Sequence, residues 1–287
     1  MIIQVTLNSL VLGLTYVLMA SGLTLVFGIM RIVNFTHGQM YMFGAFSLYY
    51  LTELAGLGYF PSFAISCGLI AILGVLIERG LIRPFMKGPS VPLLTVILGG
   101  LVFLEGAASF LFGELDRAVQ APFTGIVRLG PAILPIERIV VMVTALAIII
   151  FLYWFIFRTK EGTAIRAVAQ ERYAARLQGI SIDRCSMLVM AIGSALAAAA
   201  GSILAPIFMV NPYIGGTALF KALIIITLGG MGSITGCALG GLILGFIEGL
   251  GYAYLGVWTE IIGFILVIII LLIRPQGLLG LPYEIAH

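Results

Sequence analysis

The sequence predicts an all-α fold: a polytopic transmembrane helical bundle of about eight or nine spans, with two discontinuous helices and a cytoplasmic coupling loop. Three observations carry that reading. Hydrophobic residues fill 61% of the 287 positions and charged residues only 9%, against about 25% charged in a soluble domain. The charges lie far apart and leave uncharged runs of 30, 24, 36 and 26 residues at 1–30, 54–77, 185–220 and 222–247. Such runs meet the roughly 20 apolar residues of a spanning helix, and lipid accepts only helices or closed barrels. Finally, the one sizeable charged stretch, 158–184, sits between two long uncharged runs. All of 1–287 therefore reads as a single transmembrane domain.

The run 1–30 is the first span. Its start has no basic region and no small-residue cleavage site follows it, so it is expected to be retained. Arg31 to Gln39 then interrupts the apolar sequence with Asn34, Thr36, His37 and Gln39, before Gly38 and Gly44 punctuate the next run. The stretches 32–52 and 54–77 supply further spans, and Arg79, Arg83 and Lys87 make a short basic turn. A span over about 88–113 leads to the loop 114–138, whose three bases, three acids and prolines Pro122, Pro131 and Pro135 read as a neutral, ordered loop. The span 139–157 leads to 158–184, where six bases (Arg158, Lys160, Arg166, Arg172, Arg176, Arg184) face three acids (Glu161, Glu171, Asp183).

One span separates each of these loops from the next, so the two basic stretches share a side. Positive residues favour the cytoplasm, which places 158–184 there and 114–138 in the periplasm. Arg274 places the end of the last run in the cytoplasm too, so an even number of crossings must follow Arg184. Four fit, at about 185–208, 217–232, 234–254 and 257–273.

The second interruption is Leu228 to Gly236, followed by Gly240, Gly241 and Gly245. Paired breaks in opposite halves of a chain point to discontinuous helices at a transport pathway, where freed main-chain groups face a cavity and not lipid. Asn34, Thr36, His37 and Gln39, with Gly229, Gly230, Gly232 and Ser233, are the pathway candidates on that reading. Tight turns at the membrane surface account for the same residues equally well. Asn211-Pro-Tyr-Ile-Gly-Gly216 is a third break and reads as a turn between spans. Gly232, Gly236 and Gly240, like Gly241, Gly245 and Gly249, recur every four residues, a pattern for close helix approach.

Glu105, Glu248 and His37 interrupt or border apolar runs, where an ionisable group is a functional candidate. An ion-coupled carrier would need one of them to titrate. Glu105 is near the outer end of its span and Glu248 is flanked by Gly249 and Gly251, so exposure at the membrane surface explains both. His37 is expected to satisfy a main-chain carbonyl. Cys67, Cys185 and Cys237 are far apart, without metal-ligand spacing, and read as packing residues. The basic residues flank spans instead of forming a domain, so no nucleic acid is expected as partner. An intramembrane enzyme ranks last, because the sequence has no Gly-x-Ser-x-Gly, no Ser–His pairing and no His/Asp metal cluster.

Within 158–184, Glu161 to Gln178 is rich in helix formers. Gly179 suits a helix stop and Ser181 or Asp183 the start of the next helix. The segment has no clean amphipathic stripe, which predicts two short helices and not one long one. Small residues there allow close approach to another protein, and Arg166, Arg172 and Arg176 are placed to meet its acids. A solvated loop that only anchors topology has the same composition.

Phe157-Arg-Thr-Lys-Glu-Gly-Thr-Ala-Ile-Arg-Ala-Val-Ala-Gln170, followed by Ala174-Ala-Arg-Leu-Gln-Gly-Ile180, resembles the coupling loop of the branched-chain amino acid permeases of ATP-binding-cassette importers. Gly22-Leu-Thr-Leu-Val-Phe-Gly28 with Asn34-Phe-Thr-His-Gly38, Asn211-Pro-Tyr213, Leu228-Gly-Gly-Met-Gly-Ser233 with Gly240-Gly-Leu-Ile-Leu-Gly245, and Arg274-Pro-Gln-Gly-Leu-Leu-Gly280 are similar to the same family, nearly end to end. The chain departs from the wider importer loop motif: Tyr173 stands where a Glu precedes Ala174-Ala175, and the later Ile-x-Leu-Pro portion is absent.

The resemblance implies a permease subunit of a bacterial inner membrane. Its implied partners are a second, homologous permease, two cytoplasmic ATPase subunits and an extracytoplasmic binding protein that delivers amino acids, with amides or urea the cargo of related permeases. Coupling to the ATPases falls to Glu161, Gly162, Arg166, Ala167, Arg172, Ala174, Ala175 and Gly179. A phosphate-binding P-loop needs a Gly-Lys pair, yet Lys87, Lys160 and Lys221 follow Met86, Thr159 and Phe220. ATP and magnesium are therefore expected on the partner ATPases, and no cofactor or metal on this chain.

Overall fold

The computed structural model describes residues 2–86, 88–120, 123–129, 132–274 and 276–280; Lys87, Pro122, Pro131 and Pro275 lie outside the described residues. Helix α1 (Ile2–Met30) is apolar on every face and ends at Arg31, whose φ of +57° breaks the helix. Helix α2 (His37–Tyr49) continues as a π-helical turn, Tyr50–Leu54. Helix α3 (Tyr59–Ile77) runs on through a second π-helical turn, Glu78–Ile82, and a 3-10 turn, Arg83–Phe85. Helix α4 (Ser90–Phe112) follows. After the loop 114–138 come α5 (Ile136–Arg158), α6 (Lys160–Gln170) and α7 (Arg172–Leu177), then α8 (Ile182–Leu204), α9 (Ile214–Gly229), α10 (Ile234–Tyr254) and α11 (Thr259–Ile273).

Among the described residues, six helices are long and apolar enough to cross a bilayer: α1, α3, α4, α5, α8 and α10. Helices α2, α9 and α11 are shorter, at 13, 16 and 15 residues. The four apolar segments expected after Arg184 are found as α8 to α11, with ends shifted by a few residues. The loop 114–138 differs from a purely helical expectation. It carries an antiparallel hairpin, β1 (Ile126–Leu129) with β2 (Ala132–Pro135), in the register Ile126↔Pro135 and Leu129↔Ala132. Gly130 and Pro131 separate the two apolar tetrads in sequence, a pair that favours a turn.

The packing is reciprocal. Helix α10 lies along α1 as α3 lies along α8, α1 crosses α8, and α2 crosses α9. Each crossing brings like residues together. A Cβ on Gly22 of α1 would lie 2.6 Å from the Gly193 carbonyl oxygen of α8, and one on Gly193 would lie 2.9 Å from that of Gly22. These relations pair α1–α4 with α8–α11 reciprocally, α1 standing to α10 as α8 stands to α3. Lipid tails are as apolar as the side chains, so close main-chain packing holds such helices together and glycines sit at the contacts.

The two connecting loops sit at opposite ends of α1. Near its start, Gln4 Oε1 accepts from the Ile133 N–H at 2.8 Å and Asn8 Oδ1 accepts from Arg138. Near its end, Ile29 O accepts from Arg172, and Arg31 Nη2 donates to Ala169 O at 3.1 Å. The loop 158–184 forms two short helices, as its composition predicts. Thr159 caps α6 through the Gly162 N–H at 3.0 Å, Glu171 caps α7, Gly179 turns at φ +79°, and Ser181 caps α8.

Candidate functional site

The polar residues of the first break fold back into the bundle. Asn34 Oδ1 accepts from the Thr36 N–H at 3.1 Å and from its hydroxyl at 2.7 Å, which closes an Asx turn and starts α2 at His37. His37 Nε2 lies 3.0 Å from Met19 O; a carbonyl only accepts, so Nε2 donates, as the sequence predicts. Met19 is about three turns, roughly 16 Å, before the end of α1, so α2 begins against the middle of that helix. Asn34, Thr36, His37 and Gln39 are each at most 1% exposed.

The structural counterpart of this break is the third one. Asn211 Oδ1 accepts from the Tyr213 N–H at 3.0 Å, two residues on, and α9 starts one residue later. The sequence repeats the arrangement as Asn34-x-x-x-Gly38 and Asn211-x-x-x-Gly215. Gly38 and Gly215 then meet. A Cβ on Gly215 would lie 2.8 Å from Gly38 O, and one on Gly38 would overlap Gly215 O. The first turns of α2 and α9 thus cross main chain to main chain, each with N–H groups left over at its start. Gln39 Nε2 donates to Glu105 Oε2 of α4 at 3.2 Å, while its buried Oε1 has no partner. Asn211 Nδ2 ties the start of α9 to Asp116 at 2.8 Å, and Tyr213 Oη reaches Glu114 at 3.1 Å.

The second break is a tight helix-to-helix turn. Gly230 and Gly232 take φ of +105° and +84°, Ser233 N–H donates to Gly230 O at 3.1 Å, and Ser233 Oγ caps α10 at Gly236. Gly229 and Gly230 are buried, Ser233 is half-buried and Gly232 is exposed. The carbonyls left over at the end of α9 are taken by the chain itself: Leu278 N–H donates to Leu228 O at 2.9 Å and Leu279 N–H to Gly229 O at 3.0 Å. The structure therefore brings Gln39 and its neighbour Gly38 against Gly215, with Asn34, Thr36 and His37 in the turn that precedes them, while Gly229 and Gly230 meet the segment 277–280 and Gly232 and Ser233 complete the turn into α10.

Glu248 is not at an exposed surface, as its glycine neighbours led us to expect. It is 3% exposed, and its Oε2 is 2.7 Å from Lys221 Nζ of α9. Tyr16 Oη of α1 donates to the same carboxylate and accepts from Lys221 Nζ at 2.7 Å. Three helices are pinned by this cluster. A buried carboxylate needs such a cation, because an unpaired charge away from water is costly. Glu105 is half-buried on α4.

Of the coupling candidates, Glu161, Ala174 and Gly179 are exposed, Arg166, Ala167 and Arg172 half-buried, and Gly162 and Ala175 buried. Gly162 packs on the end of α5, where a Cβ would lie 2.5 Å from Ile156 O. The Arg166 guanidinium stacks 5.1 Å from the Phe157 ring. Arg172 is bound to the end of α1, and burial together with the nearby Arg31 lowers its pKa. Sequence reasoning missed the residues that the pair offers outward: Tyr173 and Leu177 are 72% and 70% exposed. Large apolar side chains standing out from a charged segment are the signal.

Residues 5–273 match the family model described as branched-chain amino acid transport system / permease component. The chain is 36% identical to the high-affinity branched-chain amino acid transport system permease protein LivH of Salmonella typhimurium, over 98% of this chain and 96% of that one. It is 35% identical to the corresponding protein BraD of Pseudomonas aeruginosa, with the same coverage. A solved structure of PsaBC from Streptococcus pneumoniae in complex with Fab has a TM-score of 0.52 at 14% identity, covering 94% of this chain and 91% of that one; the likeness is one of fold.

Proposed function

The chain belongs to the branched-chain amino acid transport permease family, and from that premise we propose that it is the membrane subunit of an ATP-binding-cassette importer that carries branched-chain amino acids across a bacterial inner membrane. The observation that carries the reading is similarity to LivH over nearly the whole of both chains, through the α6–α7 pair and both helix crossings. Nine helices, α1 to α5 and α8 to α11, then enter the bilayer, with 114–138 in the periplasm and 158–184 in the cytoplasm. Helices α2 and α9, begun inside the bundle by Asx turns, serve as the discontinuous pair.

Two ATPase subunits, holding ATP and magnesium, dock on α6–α7, a homologous permease completes the pathway, and a periplasmic binding protein delivers the amino acid. Closure of the ATPases moves α6–α7, and the bonds of Arg172 and Arg31 pass that motion to α1. ATP drives transport only through its different affinity for two conformations, so this linkage must carry force. The substrate carboxylate is received where α2 and α9 begin, since helix N-termini attract anions. Asn34, Thr36, His37 and Gln39 line that place. Gly229, Gly230, Gly232 and Ser233 form the inner mouth.

Affinity purification of the tagged chain from its native membrane, followed by mass spectrometry, tests the assembly. Two ATPases and a second permease are expected, with ATP-driven leucine uptake after reconstitution. A chain that stays alone and moves leucine without ATP overturns the reading. Tyr173→Ala with Leu177→Ala is expected to cut recovery of the ATPases at least about tenfold, the cost of two apolar anchors at an interface, while the chain's own yield is unchanged.

A further inference from the structure

A groove of about 600 Å³ opens at the inner end of the bundle, between the last turns of α3, helix α7 and the start of α8. Four arginines line it: Arg79, Arg83, Arg172 and Arg176, against the acids Glu78 and Asp183. Glu78 is already taken. Arg83 holds it in a two-pronged pair, Nε to Oε1 at 3.0 Å and Nη2 to Oε2 at 2.9 Å. The other three arginines are left without a carboxylate within 4.0 Å among the described residues. Arg79 Nε donates only to the sulfur of Met187, at 2.9 Å, a weak acceptor. Arg172 Nε is buried with no partner, and Arg176 is exposed. The groove is therefore short of anionic acceptors.

Its surroundings decide what kind of anion fits. Ile65, Leu69, Ile72 and Leu76 are 42–61% exposed and follow one another at spacings of four, three and four along one face of α3. The turns that end this helix carry Arg79, three residues after Leu76, and Arg83, and both line the groove. An apolar stripe as long as an acyl chain thus ends in guanidinium groups at the level where a span leaves the membrane. Basic pockets between helices on the cytoplasmic side suit anionic lipid headgroups. A soluble anion would have no use for the stripe.

We propose that this groove holds the phosphate headgroup of an anionic phospholipid of the inner leaflet, bound by Arg79 and Arg176, with one acyl chain along the α3 stripe. The assignment rests on the chain's being a multi-pass membrane protein and is independent of its cargo. Lipid at this place touches α7 and the end of α3 together, so it would brace the α6–α7 pair against the bundle.

Native mass spectrometry of the purified assembly, delipidated and then titrated with phosphatidylglycerol, phosphatidylcholine of the same acyl chains, or glycerol phosphate, tests this. Phosphatidylglycerol is expected to be retained in preference to the other two. Arg79→Gln with Arg176→Gln is expected to weaken its binding by about 30-fold, the loss for two basic side chains at an anionic lipid surface. The exposed Arg176→Gln alone tests the site without risk to folding and should weaken binding about fivefold, while Arg128→Gln in the outer loop should change nothing. Equal retention of both lipids, glycerol phosphate binding as well as the intact lipid, or unchanged phosphatidylglycerol binding by the double variant would each overturn the proposal. Loss of the ATPases from the double variant with lipid retained would assign the groove to a protein partner instead.

Discussion

Lys221→Met is expected to destabilise the folded chain by roughly 3–5 kcal/mol, the usual cost of removing one partner from a buried ion pair. Lys221 Nζ lies 2.7 Å from both Glu248 Oε2 and Tyr16 Oη, and the two charged side chains are only 17% and 4% exposed. With the ammonium gone, the carboxylate keeps the Tyr16 hydroxyl as donor but no neutralising charge, in a setting without water to replace it. The link between α1, α9 and α10 is lost together with the charge balance. Apolar replacement of both partners should be far milder, because it removes the desolvation cost as well as the attraction. Lys221→Met with Glu248→Met is therefore expected to regain most of the lost stability. Thermal unfolding of the purified variants in one detergent, read by size-exclusion chromatography, checks both. A single variant as stable as the parent, or a double variant no better than the single, would sink this account. The same set separates a structural acid from a proton carrier. ATP-driven uptake should survive in the double variant, and an ion-coupled carrier working through Glu248 would lose it.

The second large effect is expected at the crossing of α2 and α9. Gly38→Ala places a methyl group on Gly215 O, and Gly215→Ala places one 2.8 Å from both Gly38 O and Gln39 Oε1. Added methyl groups in packed cores cost about 1–3 kcal/mol where side chains can give way. Here the obstacle is main chain, so the two helices must part. Either change is expected to reduce ATP-driven leucine uptake by about tenfold or more, through displacement of the N–H groups proposed to receive the substrate. Gly216→Ala is the internal control. A Cβ there meets nothing within 4 Å, and alanine is the better helix former by up to about 1 kcal/mol, so activity should be kept. Full uptake by Gly38→Ala would remove the crossing from the pathway.

Much of the bundle could be read from charge spacing, because charges are expensive in lipid and so mark where helices end. The ends of α4, α5, α8 and α10 fall within a few residues of places read from the runs. The same logic was silent on Lys221, which fell inside an expected span, and failed at Glu248, which was read as exposed at the membrane surface. Each sits inside a helix and is tolerated because the other is there. A pairing between helices leaves no local trace, since Lys221, Glu248 and Tyr16 are far apart in sequence. The two breaks were legible as breaks, and of the two readings open for Leu228–Gly236 its local form is the tight turn. The likeness of Asn211 to Asn34, each starting a helix through an Asx turn, went unread. The repeated Asn-x-x-x-Gly spacing was the available signal. The hairpin was hidden by its short strands, and the outward face of α7 by attention to its arginines.

The strap of Leu278 and Leu279 across the end of α9 ties together parts of the chain made at very different times. While α9 is emerging, Leu228 O and Gly229 O have no partner, and they acquire one only after α10 and α11 have been synthesised. The end of α9 is thus closed by residues that come after α11 in the chain. A nascent chain halted after α10 would leave those two carbonyls open, and their closure waits on synthesis of residues 278 and 279 instead of on the placing of α11.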